Sequence, residues 1–188
     1  MRTLLALAVV LTPLSLAAGP EHCPDALAQW TVGRGELWPA TSCGAFFLST
    51  DSEDHASSMG EASFRREVKV PFEASLRWRR LGPEAGKQLW IKLPGGHLLF
   101  KDGAVGLWIS HAQFAASGFH ALPGVMLHDE HLVTVRQSRD AVELRIDGGA
   151  PLVLPVAGPR GGKVAIGLEG ARGYRSLMTF REFSVREL

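Results

Sequence analysis

The chain has 188 residues, of which 20 are Lys or Arg and 19 are Asp or Glu. That balance, with no basic cluster, argues against nucleic acid as a partner. The 21 glycines and 11 prolines are spread along the whole length, which excludes long helices and points to an all-β sandwich or barrel of short strands.

The first segment in chain order is not part of the fold. "MRTLLALAVVLTPLSLAAGPEHC" has a basic start at Arg2, an apolar run from Leu4 to Val10, then Ala17, Ala18 and Gly19. This is the layout of a secretory signal peptide, so residues 1–19 read as a leader and 20–188 as one domain. The apolar run is shorter than the ~20 residues a bilayer span takes. Cys23 follows Pro-Glu-His, which is not a lipoprotein signal. Cleavage is expected between Ala17 and Pro20, giving a secreted or periplasmic product that is not an integral membrane protein. Losing Arg2 leaves 19 basic residues against 19 acidic ones.

Cys23 and Cys43 are the only cysteines. In an oxidising compartment they are expected to pair, tying the mature N-terminus to the next strand and adding about 3 kcal/mol. Two cysteines without a second set fall short of a zinc site.

Period-two alternation predicts strands at 30–38, 43–49, 62–70, 72–80, 87–93, 97–101, 104–110, 131–138, 141–147, 151–156, 162–168 and 177–186. Turn-like "LGPEAG", "LPGG", "KDG" and "GPRGG" separate several of them. Two stretches read as long loops. One is the acidic "STDSEDHASSMGEA". The other is "SHAQFAASGFHALPGVMLHDE", with a short helical turn near Gln113–Ala116. Parity assigns the faces. Trp78 falls with Phe72, Ala74 and Leu76 toward the core, while Arg77 and Arg79 point the other way. In 87–93 the apolar set is Leu89, Ile91 and Leu93, which leaves Trp90 beside Gln88 and Lys92. In 104–110, Val105, Leu107 and Ile109 face inward, and Trp108 lies with Gly106 and Ser110. Val142, Leu144, Ile146, Val164, Ile166, Phe180 and Phe183 are expected in one core.

"HLVTVRQSRDAVELRIDGGAPLVL", followed by "GGKVAIGLEGARGYRSLMTFREFSVREL", resembles the closing strands of concanavalin A-like lectin and glucanase sandwiches. The likeness is strongest to bacterial families related to laminin-G and 3-keto-disaccharide-hydrolase-type domains. The resemblance covers roughly the last 60 residues by this reading. It implies an antiparallel jelly-roll β-sandwich of two curved sheets, and a carbohydrate as ligand.

Catalytic motifs are missing. Glucanases of this fold class keep Glu-x-Asp-x-Glu on one strand, and no such cluster occurs. Glu143 and Asp147 are four residues apart on one strand, about 13 Å, with Arg145 between them. That is too far for a paired acid and nucleophile. Glu67 and Glu73 stand near Lys69 and Arg77, where ion pairing is the plain account. His128, Asp129, Glu130 and His131 alternate in direction on an extended chain and lack zincin spacing. "AGPRGGKV" has Ala157 and Val164 where a phosphate loop needs Gly and Ser or Thr, and no Gly-x-Ser-x-Gly elbow exists. No cofactor is expected. Asp51, Glu53 and Asp54 are the residues that could offer oxygens to calcium.

The leading expectation is a secreted, non-catalytic module. It binds a glycan or cell-surface polysaccharide on the concave sheet or its rim loops through Trp90, Trp108, Arg77, Arg79, Gln88 and Lys92. Rings stack on sugar faces, while Arg and Gln bond hydroxyls. Two alternatives stay open: an extracellular structural or interaction domain without a small-molecule site, and a hydrolase of glycosides or sugar derivatives.

Overall fold

A computed structural model describes residues 26–40, 44–50, 57–81, 86–109, 113–156, 158, 160–171 and 175–188. A short 3-10 turn at Ala26–Gln29 leads into the strands. In chain order these are β1 (Trp30–Arg34), β2 (Glu36–Pro39), β3 (Phe46–Ser49), β4 (Ser57–Phe64), β5 (Val68–Lys69), β6 (Phe72–Leu81), β7 (Gly86–Leu93) and β8 (Gly96–Lys101). There follow β9 (Ala104–Ile109), β10 (Gln113–Ala121), β11 (His131–Gln137), β12 (Ala141–Ile146), β13 (Leu152–Pro155), β14 (Gly161–Gly162), β15 (Ala165–Ala171) and β16 (Leu177–Glu187).

They form two seven-stranded antiparallel sheets. The first runs β1-β4-β15-β7-β8-β9-β10 and the second β13-β12-β11-β6-β16-β3-β2, while β5 and β14 make a small bridge. This is the expected all-β jelly-roll sandwich. Alternation builds it: in β6, Phe72, Ala74, Leu76 and Trp78 are buried, and the residues between them are half-exposed. The core fills the space between the sheets. Trp30 packs against Phe46, Phe64 and Phe183 with ring centroids 5.3, 5.8 and 4.6 Å away, and Trp78 meets Phe100 at 4.9 Å. Each such side chain withdrawn from water contributes about 1.5–3 kcal/mol. Val142, Leu144, Val164, Ile166 and Phe180 are buried there as expected, while Ile146 and Phe183 are partly buried at its margin. No helix among the described residues is long and apolar enough to cross a membrane.

Several expectations are corrected. The single strand expected over 30–38 breaks at Gly35, whose φ of +71° lets the chain step from the first sheet to the second. A side chain there would begin 2.0 Å from the Ser49 carbonyl oxygen. The acidic loop ends earlier than expected, because Ser57–Phe64 is a strand. Its inward positions, Ser58, Gly60 and Ala62, are small, so no hydrophobic alternation announced it. Residues 113–121 form an edge strand, not a loop with a helical turn. Its pairing with β9 is irregular between Phe114 and Phe119. The strand expected over 162–168 lies at Ala165–Ala171. The leader, both cysteines and the acidic trio Asp51, Glu53 and Asp54 lie outside the described residues.

Candidate functional site

The outer face of the first sheet carries an aromatic platform. Cross-strand register fixes who meets whom: Gly167 opposes Trp90, Trp90 opposes Leu99, Lys92 opposes His97, and His97 opposes Trp108. All of these are out of phase with the core residues Leu89, Ile91, Leu98 and Leu107, so they point away from the core. The Trp90 indole lies down across β15. A Cβ placed on Gly167 would fall 2.0 Å from its Cζ2 atom and 2.2 Å from Cε2. Glycine is therefore the residue that lets the ring lie flat on the sheet. His97 stacks beside Trp90, with centroids 5.7 Å apart and planes 18° from parallel. Trp108 meets the other side of His97 edge-on at 5.3 Å and 68°.

Around these rings is a groove of ≈ 480 Å³, lined also by Met59, Glu61, Gln88 and Leu99. The lining is largely apolar, with a few polar groups converging on it, as small-molecule sites commonly are. Trp90 is only 6% exposed, with the sheet beneath it and His97 stacked beside it, whereas Trp108 is half-buried and offers more of its ring. Gln88 donates a hydrogen bond to Glu169 at the groove's edge. Burial, together with the Lys92 charge, pushes the His97 pKa below that of a free histidine, and Glu61 only partly offsets this. Burial and the Lys92 charge both favour the neutral form of the imidazole in the platform.

The six residues singled out in the sequence divide between two surfaces. Trp90, Gln88 and Trp108 line the groove, and Lys92 is exposed beside His97 on the same face. Arg77 and Arg79 are not with them: both sit on β6, on the outer face of the second sheet. Arg77 Nε donates to Glu182 at 2.9 Å and its guanidinium lies 3.8 Å from Glu130, while Arg79 is exposed. Sequence reasoning missed Met59, Glu61, His97, Leu99 and Gly167. For His97 and Leu99 the signal was present, since "GHLLFK" alternates them with the buried Leu98 and Phe100. Met59 and Glu61 were hidden by reading their strand as a loop.

The residues set aside in the sequence behave as structural groups. Arg145 bonds Glu143 at 2.8 Å on the same strand, and Glu73 pairs with Arg186 at 2.8 Å rather than with Lys69 or Arg77. His131 is part of a clamp. Its Nδ1 donates to Asp147 Oδ2 at 2.7 Å, and its Nε2 accepts the Met126 N–H at 3.2 Å. Both nitrogens are occupied, so the His131 ring has no lone pair free to act as a base. Among the described residues no cluster of His, Cys, Asp and Glu is arranged to hold a metal.

No family model and no curated protein matches the sequence. Solved structures do share the architecture. A carbohydrate-binding module, CBM66, from Bacillus subtilis superposes with a TM-score of 0.62 at 8% identity, covering 85% of this chain and 96% of that one. An alginate lyase, A1-II′, gives 0.60 at 11% identity, covering 86% and 96%. The exoplasmic/lumenal domain of VIP36, in its Ca2+/Man-bound form, gives 0.57 at 9%, covering 85% and 83%. The shared fold is a sandwich of two antiparallel β-sheets. At these identities the likeness concerns fold, and among these structures the same fold serves a binding module and a lyase alike. Function has to be argued from the groove that this particular sandwich carries.

Proposed function

We propose that the protein is a secreted, non-catalytic glycan-binding module that holds a saccharide in the groove of the first sheet. The observation that carries this reading is the Trp90–His97–Trp108 platform at the floor of an open, mainly apolar groove. The apolar face of a pyranose stacks on such rings, and Glu61 and Gln88 are placed to bond its hydroxyls. Of the matched structures, one is named as a carbohydrate-binding module and another is described with mannose bound, which is in keeping with this use of the fold.

The test is a glycan array probed with the mature chain, followed by tryptophan fluorescence titration with the hits. Trp108→Ala is expected to weaken binding at least tenfold, equivalent to about 1.4 kcal/mol, with little change in melting temperature. Trp90→Ala should remove binding as well, but at a stability cost of about 3–5 kcal/mol, since that ring is buried. A stable Trp108→Ala protein that binds its glycan as tightly as wild type would remove the groove from consideration.

A cleaving role is the rival reading, and one arrangement favours it. Glu61 and Glu169 lie diagonally on the adjacent strands β4 and β15, on one face. If the array hits are shortened on incubation, and Glu61→Gln stops this without loss of binding, the protein is an enzyme on its ligand. Intact ligand after prolonged incubation supports the binding module. Export belongs to the same proposal: protein purified from its own host should begin between Ala17 and Pro20 and weigh two hydrogens less before reduction than after, from a Cys23–Cys43 bond.

A further inference from the structure

The second sheet presents its own aromatic row on the opposite side of the molecule. Trp38, Phe47, Thr179 and Arg79 oppose one another in register across β2, β3, β16 and β6. They alternate with the inward-facing Leu37, Phe46, Leu48, Met178, Phe180 and Trp78, so this row points to solvent. Trp38 and Phe47 are half-buried, with ring centroids 6.1 Å apart and planes 34° from parallel. The next row on the same face adds Leu177 and Leu81, also half-buried. Thr179 in the middle is short, and its hydroxyl is turned to the Arg79 carbonyl. The row is therefore low between its aromatic end and its cationic end.

Charge decides what the row suits. Across the rest of this face the guanidinium groups are matched, except that of Arg136 on β11, which is exposed and lies one strand beyond β6, farther from the aromatic end. Arg77 holds Glu182, Arg181 holds Glu130, Arg186 holds Glu73 and Arg145 holds Glu143. Arg79 is exposed and has no carboxylate partner among the described residues. With strands ~4.8 Å apart, it stands roughly 14 Å along the row from Trp38. We infer that this row is a second binding surface, separate from the groove, for an acidic saccharide. A sugar ring lies on Trp38 and Phe47, and a carboxylate or sulfate further along the saccharide meets the Arg79 fork.

The experiment is interferometry of the full chain over immobilised polygalacturonate, dextran sulfate and uncharged dextran. Binding is expected to at least one acidic polymer and not to dextran, and the acid that responds separates carboxylate from sulfate. Arg79→Gln is expected to weaken it at least tenfold. So is Trp38→Leu, which keeps an apolar cover over the sheet but removes the flat ring; unchanged melting curves check both folds. Trp108→Ala, in the groove, should leave this binding as it was. The inference is overturned by no binding to either acidic polymer or by binding that survives Arg79→Gln. A loss in Arg79→Gln without one in Trp38→Leu also overturns it, since that is bare charge attraction. Loss in Trp108→Ala overturns it too, because the acidic polymer then occupies the groove.

Discussion

Gly167 has no side chain, and the six-membered ring of Trp90 occupies the space where one would begin. Its backbone is not in the left-handed region, so no conformational demand explains the glycine. The demand is steric. Gly167→Ala should lift the indole off the sheet, cost about 1–3 kcal/mol in urea unfolding, and shift tryptophan emission to the red. Adding Trp90→Leu to that variant should recover part of the lost stability, because the two changes relieve the same clash. Independent, additive effects would mean the ring is held by something else. None of this was legible in the sequence. "KVAIGLEG" offers two glycines within one strand, and only register shows which of them lies beneath a tryptophan.

At the scale of the element, the β11–β12–β13 meander shows how far a sequence pattern reaches. Its alternation was plain: Val142 and Leu144 are buried as read, and Val133 and Val135 on β11 are buried with them. Leu144→Ala should cost about 2–5 kcal/mol by chemical denaturation; a loss well under 1 kcal/mol would contradict the inward placement. Asp147 and Gly148 have φ of +51° and +72°, and the Gly149 N–H donates to the Ile146 carbonyl at 2.8 Å, as a type I′ turn requires. What the sequence hid is that the Asp147 side chain turns back to clamp His131 and the Leu132 N–H, each at 2.7 Å. Burial alone would raise the Asp147 pKa, but those hydrogen bonds and the nearby Arg77 charge outweigh it, and the net shift is downward. A carboxylate shifted this way stabilises the fold above its unfolded value of about 3.9 and loses that contribution as pH falls through its lower folded value. Asp147→Asn keeps a residue tolerant of positive φ. It should be less stable than wild type at pH 7, and the gap should close below pH 4. Urea midpoints at pH 7 and pH 3 measure this, and an equal gap at both would refute the clamp.

For the whole molecule, composition and strand spacing sufficed for class and layering, because a two-sheet sandwich follows from many short half-buried strands. They could not say which sheet a strand joins. Parity alone therefore puts Arg77 and Trp90 on one surface, although β6 and β7 lie in different sheets. Parity gives the face of a strand, and the identity of the sheet comes only with the chain's route. That route has a further effect on how the protein comes into being. The last two strands do not close the edges: β15 enters between β4 and β7, and β16 between β6 and β3. Until residues 165–187 emerge from the ribosome, each sheet is two open halves with unpaired rims, and the floor beneath Trp90 does not exist. Synthesis from the N-terminus thus cannot build this molecule piecemeal. The two sheets stay unassembled until β15 and β16 have been made, then close through contacts between distant segments, which is slow. For a polypeptide threaded unfolded across a membrane that delay is an advantage, and for one released into a crowded compartment it is a period of exposure to aggregation.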